Sequence, residues 1–165
     1  MKLKTEHRIT KSEFLIWKDS FSVGIDVIDD QHKKLINNAN ALYFACLQGN
    51  EAANNFFRHT VRKTMQYILL HFKCEEELFE KIGYPDKAEH KTQHELFIIE
   101  VLDQVTKFKS GARFVPNSFV RYLHDWILTH IAIQDKKFGL YYTKKIAEGS
   151  VIPREIDILL NQCKI

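Results

Sequence analysis

The chain has 165 residues, a formal net charge of +3 at pH 7, 45% hydrophobic residues and 27% charged residues. These values are ordinary for a one-domain soluble protein, and the interleaved charges form no basic stripe of the kind that nucleic-acid-binding proteins carry. No stretch approaches the roughly 18 apolar residues of a membrane span, and the N-terminal segment lacks the apolar run of a secretory signal.

Residues 1–25 are predicted to form an N-terminal arm ahead of the first helix. Its aromatic residues Phe14, Trp17 and Phe21 are expected to pack across the rest of the fold. Hydrophobic periodicity then predicts four helices, and glycine and proline mark their ends. The expected spans are 26–47, 51–82, 87–109 and 116–138, the last ending before Gly139. Four helices with short connections, and no alternating strand pattern, favour an all-α up-down-up-down bundle over residues 26–139.

Residues 140–165 form a C-terminal extension. Pro153 is followed by Ile156, Leu159, Leu160 and Cys163, a spacing that predicts a short fifth helix. Its apolar stripe has two interpretations: packing onto its own bundle, which we favour, or docking to a protein partner.

Cysteine usage favours a reducing compartment, the cytoplasm. Cys46, Cys74 and Cys163 are odd in number and widely spaced, which argues against a disulfide framework. Cys74 is expected to be a buried, inert thiol.

Seven residues with the chemistry of metal ligands fall at a common depth in the predicted bundle. They are His32, His71, Glu75, His90, His94, His130 and Asp135. At about 1.5 Å per residue, all lie roughly 4 to 17 Å from the same end of the four helices. One buried histidine is usually a satisfied core residue, but burying this many polar groups without a partner would cost a few kcal/mol each. The remaining histidines, His7, His59 and His124, fall off the inward faces and are expected at the surface.

The spacing within the ligand pairs is informative. His71 and Glu75 are four residues apart, as are His90 and His94, so each pair shares a helix face. His130 and Asp135 are five apart, about 140° on an ideal helix. Either the aspartate reaches across from a neighbouring face, or a π-bulge realigns the pair, as bulges do at functional sites. We predict a distorted hydrogen-bond ladder near residues 131–135.

Five imidazoles and two carboxylates suit a pair of iron ions better than one tetrahedral zinc ion. If the two carboxylates are shared, the five nitrogens divide into three and two. The metal with fewer nitrogens then has an open position where a diatomic molecule can bind.

These residues resemble the hemerythrin family, in particular its bacterial members, the bacteriohemerythrins. The resemblance covers roughly residues 17–138. It is carried by Trp17 with Ser22-Val23-Gly24-Ile25, the run from Ile28 to His32, His71-Phe72-Lys73-Cys74-Glu75-Glu76, Gly83-Tyr84-Pro85 through His90 and His94, and Trp126 to His130 with Asp135. Ile127 stands where the family often has leucine, and the tail after Leu140 is longer than usual.

The resemblance implies reversible O2 binding by two iron ions (Fe2+/Fe3+) joined by a hydroxo or oxo bridge. His90, His94 and His130 would bind one ion and His32 and His71 the other, with Glu75 and Asp135 bridging. O2 would bind at the ion with fewer histidines. Apolar neighbours would form its pocket and exclude water and anions: Leu35, Phe72, Trp126, Ile127 and Ile131.

Other functions remain open. A di-iron enzyme with oxidase, peroxidase or nitric-oxide-handling activity is one, but oxygen-activating sites are typically richer in carboxylates. Glu76, beside the ligands, is expected at the surface about 100° from the inward face, which leaves no separate acid–base group evident. An iron or redox sensor is another, although no output domain is apparent. We expect a monomeric oxygen carrier, store or sensor.

Overall fold

Helices account for all regular structure in residues 14–164, the part of the chain that the computed structural model describes. A 3-10 turn, Asp19–Phe21, precedes five helices. Helix α1 is Asp26–Leu47, α3 is Lys87–Lys109 and α5 is Pro153–Gln162. Helix α2 spans residues 50–82 and consists of Asn50–Tyr67, a π-helical turn Ile68–Phe72, and Lys73–Ile82. Helix α4 spans residues 115–147 and consists of Val115–Trp126, π-helical Ile127–Asp135, and Lys136–Ala147.

Helices α1 to α4 form the predicted bundle. α1 packs against α2 and α4, and α3 packs against the same two helices. The turn between α2 and α3 is tight: Gly83 adopts a left-handed φ of 65°, and the Tyr84 amide donates to the Phe79 carbonyl at 2.9 Å, a common way to end a helix. The predicted all-α bundle is confirmed. Among the described residues, no helix is both long and apolar enough to cross a membrane.

Two apolar clusters lie at different levels of the bundle. The larger contains Leu35, Phe97 and Ile131, whereas the smaller contains Ile28, Phe79 and Phe138. Five of the seven candidate ligands fall between them along the helices, while His71 and His130 lie at the edge of the larger cluster. The fold therefore places a polar layer where the two apolar clusters meet.

The described part of the arm packs across the bundle as predicted. Phe14 stacks on Tyr43 with ring centroids 4.3 Å apart, and Phe21 is buried. The backbone of Leu15 exchanges two hydrogen bonds with the side chain of Asn40, at 2.8 and 2.7 Å. Residues 1–13 of the predicted arm lie outside the described range.

The expected end of the fourth helix at residue 138 is wrong, because α4 continues through Gly139 to Ala147. Gly139 marks a close approach instead of a helix end. A Cβ atom there would lie 2.2 Å from the Val23 carbonyl oxygen. The missing side chain lets the arm cross directly over the helix.

The predicted fifth helix is present and packs on its own bundle. Ile156 is buried with Ile25 and Leu78 in the smaller apolar cluster, and Lys81 forms an ion pair with Glu155 at 2.5 Å. The apolar stripe of the extension is thus largely used within the chain.

The expectation of an inert thiol at Cys74 is wrong. Cys74 and Cys163 form a disulfide, with Cα atoms 5.8 Å apart and a sequence separation of 89 residues. Cys46 is half-buried and free. The inference from cysteine number and spacing against a disulfide is therefore wrong, because the bond depends on α5 folding back onto α2, which spacing does not show.

We predict that Gly139→Ala destabilises the fold. The clash with the Val23 carbonyl requires backbone movement, which typically costs about 1–3 kcal/mol and exceeds the roughly 1 kcal/mol that alanine gains in a helix. Urea unfolding should therefore show a lower free energy of unfolding. Leu140→Ala, at an exposed neighbouring position, should change it by less than about 0.5 kcal/mol. A Gly139→Ala protein as stable as the parent would contradict the packing argument.

Candidate metal centre

The structure brings all seven candidate ligands to one place in the bundle interior. His32 lies on α1, and the other ligands come in pairs from the three remaining helices: His71 and Glu75 from α2, His90 and His94 from α3, and His130 and Asp135 from α4. None is more than 2% exposed. The three other histidines were expected elsewhere. His59 is exposed, His124 is half-buried away from the cluster, and His7 lies outside the described residues.

The ligands form two overlapping groups. One contains Glu75, His90, His94, His130 and Asp135, and the other contains His32, His71, Glu75 and Asp135. Within each group the donor atoms lie within 4.8 Å of one another. Both carboxylates belong to both groups, so the cluster has the shape of two adjacent cation sites with three and two imidazoles.

Asp135 faces both halves of the cluster. Its Oδ2 lies 3.1 Å from His32 Nε2, whereas its Oδ1 lies 3.0 Å from His90 Nε2 and 3.1 Å from His130 Nε2. Glu75 does the same with one oxygen: Oε2 is 3.4 Å from His71 Nε2 and 3.3 Å from His94 Nε2. All five imidazoles therefore turn Nε2 toward the carboxylates.

A π-helical stretch places His130 and Asp135 on one helix face, although they are five residues apart. Residues Ile127–Asp135 form this stretch, and a wider turn brings residues five apart onto one face. The predicted distortion near residues 131–135 is confirmed. A second π-helical turn, Ile68–Phe72, contains His71. The sequence gave no sign of it, because the four-residue spacing from His71 to Glu75 also fits a regular α-helix.

Three imidazoles are oriented from behind by side-chain oxygens. The Nδ1 of His71 lies 2.9 Å from Gln31 Oε1, and the Nδ1 of His130 lies 2.9 Å from Gln93 Oε1. Such partners fix the ring and the tautomer of a metal-binding histidine. Sequence reasoning did not find these glutamines, which have no distinctive spacing.

Glu76 provides the third of these contacts. Its Oε1 lies 3.0 Å from His94 Nδ1, so the expectation that it only serves the surface is wrong. The side chain is about one-third exposed, but its length lets the carboxylate reach from α2 to the back of an imidazole on α3.

Aromatic rings cover the imidazoles on the side of the larger core. Phe72 stacks on His94 and Trp126 on His130, each with ring centroids 3.8 Å apart. The five predicted pocket residues, Leu35, Phe72, Trp126, Ile127 and Ile131, are all buried members of the same apolar cluster. Beside them, a cleft of about 650 Å³ between α1 and α2 reaches Leu35, Tyr67 and His71.

The donor set fits a pair of cations. His71, His94 and His130 face acceptors at Nδ1 and so carry their protons there, which leaves Nε2 with a lone pair. The oxygens of Glu75 and of Asp135 are buried, and the polar atoms nearest to them are the Nε2 atoms of the imidazoles. Acceptors that face one another in an apolar interior repel unless a proton or a cation lies between them. Cations at their centre would be bound by the carboxylates and the Nε2 lone pairs together.

Burial favours the neutral form of three of the imidazoles, the form that ligation requires. It lowers the pKa of His71, of His94 and of His130, the last to about 4. Burial, with the nearby charge of Asp135, raises the pKa of Glu75 to about 8. Without metal, Glu75 therefore holds a proton at neutral pH.

The match to known proteins agrees with this site. Residues 23–139 match the family model described as the hemerythrin HHE cation binding domain. The chain belongs to the hemerythrin family. It is 35% identical over 125 residues to the bacteriohemerythrin of Stenotrophomonas maltophilia (strain R551-3). The aligned residues cover 76% of this chain and 79% of that protein. It is 30% identical to a hemerythrin-like protein of Naegleria gruberi, over 74% of this chain and 88% of that protein.

Solved structures agree with these sequence matches. The crystal structure of a single-residue variant of hemerythrin superposes with a TM-score of 0.67 at 29% sequence identity. The match covers 78% of this chain and 97% of that one. The predicted family is therefore confirmed, and the matched domain contains all seven ligands.

We predict that metal uptake at pH 7 releases about one proton from Glu75, in addition to the proton that a water molecule would lose in forming a bridging hydroxo group. Because the pKa of Glu75 is about 8 without metal, its contribution to the pH dependence of the apparent metal affinity should be present below about pH 8 and disappear above it. Well below pH 8 that contribution should approach tenfold per pH unit. His71, His94 and His130, whose pKa values are lowered by burial, should add no further release at this pH.

Calorimetric titration of the metal-free protein with Fe2+ under argon, in buffers of different ionisation enthalpy, counts the released protons. Glu77→Gln, an exposed change on the same helix, should leave the count unchanged. Proton release that is absent at pH 7 would contradict the role given to Glu75.

Proposed function

We propose that this hemerythrin-family protein binds O2 reversibly at a non-haem di-iron centre, as an oxygen carrier, store or sensor. The observation that supports it best is the division of the buried donors into a three-imidazole and a two-imidazole group with two shared carboxylates. Such a cluster can hold two metal ions that differ in how completely they are coordinated.

The ligand roles follow from this division. His90, His94 and His130 would hold one iron ion and His32 and His71 the other. Glu75 and Asp135 would bridge the two, together with a hydroxo or oxo group. Imidazole and carboxylate donors in this proportion suit iron, and two ferrous ions would supply the electrons for reversible O2 binding.

The surrounding side chains favour binding over further chemistry. Leu35, Phe72, Trp126, Ile127 and Ile131 would form the pocket wall for O2, and the apolar cluster to which they belong keeps water and anions away. His71, His94 and His130 are each backed by an acceptor at Nδ1, so they would hold metal without supplying a proton. The two-histidine side has fewer donors and is the side where O2 would fit.

A di-iron enzyme is the alternative, with oxidase, peroxidase or nitric-oxide-handling activity. It would need a group that moves protons at the reacting centre. Glu76 is the nearest additional carboxylate, and it is engaged with His94 Nδ1, behind the imidazole. That engagement favours a non-enzymatic oxygen binder.

We also infer a monomer located in the cytoplasm, with O2 as its ligand. The Cys74–Cys163 bond removes the cysteine argument for a reducing compartment. If the compartment is reducing, such a disulfide is usually transient, catalytic or redox-sensing, which keeps an iron or redox sensor among the candidate functions.

We predict that the purified protein binds two iron atoms per chain. The anaerobic ferrous protein should become coloured when exposed to air, and degassing should reverse the change over repeated cycles. Metal analysis and visible spectra of the same sample check both statements. Irreversible bleaching with consumption of an added reductant would favour the enzyme. Far fewer than two iron atoms after reconstitution would contradict the proposed centre.

We predict that Ile127→Ser shortens the lifetime of the oxygenated protein. Ile127 is fully buried beside the cluster, and a smaller polar side chain admits water. Faster autoxidation, on the order of tenfold, would correspond to a barrier lower by about 1.4 kcal/mol. Leu128→Ser, at a partly exposed neighbouring position, should leave the spectral decay unchanged. An unchanged decay in Ile127→Ser would contradict the shielding role.

A further inference from the structure

We propose that Gln31 is a positioning residue for His71, and that the Cys74–Cys163 disulfide is a redox-operated clasp that holds Gln31 in place. The oxidation state of this cysteine pair would thereby set how firmly the two-histidine side of the cluster holds its metal. The inference rests on the proposed di-iron function for its consequence, but its structural part concerns the protein without metal.

The amide of Gln31 is held at both ends. Its Nε2 donates to the Cys163 carbonyl at 2.9 Å, and its Oε1 lies 2.9 Å from His71 Nδ1. A carbonyl can only accept, so the NH2 group must face Cys163 and the oxygen must face the imidazole. His71 must then carry its proton on Nδ1 and present the lone pair of Nε2 to the cluster. The Cys163 carbonyl therefore selects the tautomer that binds metal.

The disulfide joins this carbonyl to the other side of the site. Cys163 lies directly after α5, and its partner Cys74 precedes Glu75 on α2. Both sulfur-bearing residues are buried, as is Gln31. One covalent bond therefore connects the backbone beside a bridging carboxylate to the group that orients His71.

Without the disulfide, only noncovalent contacts hold α5 on the bundle. It is a ten-residue helix, too short to be stable alone. Its described attachments are the burial of Ile156 and the partial burial of Leu159 and Leu160 against the smaller cluster, the hydrogen bond from Gln31 to the Cys163 carbonyl, and the exposed ion pair between Lys81 and Glu155. Exposed ion pairs contribute little. Reduction should therefore loosen the end of α5 and the carbonyl that Gln31 requires.

The redox step is a thiol–disulfide exchange. The Cys74 and Cys163 thiols lose two electrons and two protons as the S–S bond forms. The oxidant, a low-molecular-weight disulfide, accepts both and leaves as two thiols. The reverse reaction uses two such thiols as reductant.

Among the described residues, the side chains that orient His94 and His130 have no hydrogen bond to α5 or to Cys163. His130 is backed by Gln93 and His94 by Glu76, and both of these side chains lie on helices of the bundle. The response to cysteine reduction should therefore be confined to the side held by His32 and His71. This asymmetry makes Gln93 a matched control for Gln31.

The first test follows the Nδ1 proton of His71 by NMR in the metal-free protein. Thiol titration after denaturation first establishes the starting states, with one free thiol in the oxidised protein and three after reduction with a phosphine. We expect a protected Nδ1–H resonance in the oxidised protein, and loss of that resonance through solvent exchange in the reduced one. Hydrogen exchange of the amides in residues 153–162 should accelerate in parallel.

Two variants of Gln31 separate its two hydrogen bonds in this test. Gln31→Leu removes both, so the resonance should be absent in either redox state. Gln31→Glu keeps an acceptor for His71 but loses the donor to Cys163, so the resonance should persist and stop responding to reduction. A His71 proton that is equally protected with and without the disulfide in the parent protein would overturn the proposal.

The second test measures metal loss. We expect reduction, or Cys163→Ser, to speed removal of one of two bound ferrous ions by a chelator on the order of tenfold, the scale of effects at groups that orient metal-binding histidines. Cys46→Ser should change nothing. Gln93→Leu should retain the response to reduction, whereas Gln31→Leu should abolish it.

The two tests fail differently. If the chain binds no iron in either redox state, the proposed di-iron function is wrong, while the NMR test of the clasp still stands. If two iron ions bind and leave at the same rates whether or not the disulfide is present, the clasp is wrong and the oxygen-binding function is untouched.

Discussion

The repulsion among buried electron-pair donors is the constraint on which the rest of this structure depends. Five imidazoles turn their Nε2 atoms toward two buried carboxylates. In an apolar interior such acceptors repel wherever neither a proton nor a cation lies between them. The protein therefore contains a centre that bound cations, or shared protons where no cation is bound, make favourable, and much of the surrounding structure holds these side chains in place.

Several features of the bundle hold the donors against that repulsion. The π-helical stretch in α4 turns Asp135 onto the same face as His130. Stacked rings press on the imidazoles from the larger core, as Phe72 does on His94, and side-chain acceptors hold their far nitrogens. Each of these interactions is modest alone, yet together they allow few other orientations.

The clustering of the seven candidate ligands could be predicted from sequence because helices are nearly straight and advance regularly, so counting residues from a common end gives depth. The five-residue interval before Asp135 even revealed a distortion, since no regular α-helix could satisfy it. The π-helical turn at His71 could not be predicted, because the four-residue spacing from His71 to Glu75 also fits a regular α-helix. The end of the fourth helix was predicted wrongly at Gly139, because glycine is common both at helix ends and where two backbone segments come close together. The pairing of Cys74 with Cys163 depends on a tertiary fold-back that local periodicity does not encode.

The separation of the two apolar clusters has a consequence for how the molecule unfolds. Each cluster can in principle lose its packing without the other, because the layer between them consists of polar side chains that gain little from burial. Occupied by cations, the same layer ties all four long helices together at mid-height. The cooperativity of unfolding would then depend on ion occupancy more than on either apolar cluster. The same would hold for the resistance of the protein to proteases that cleave partly unfolded states.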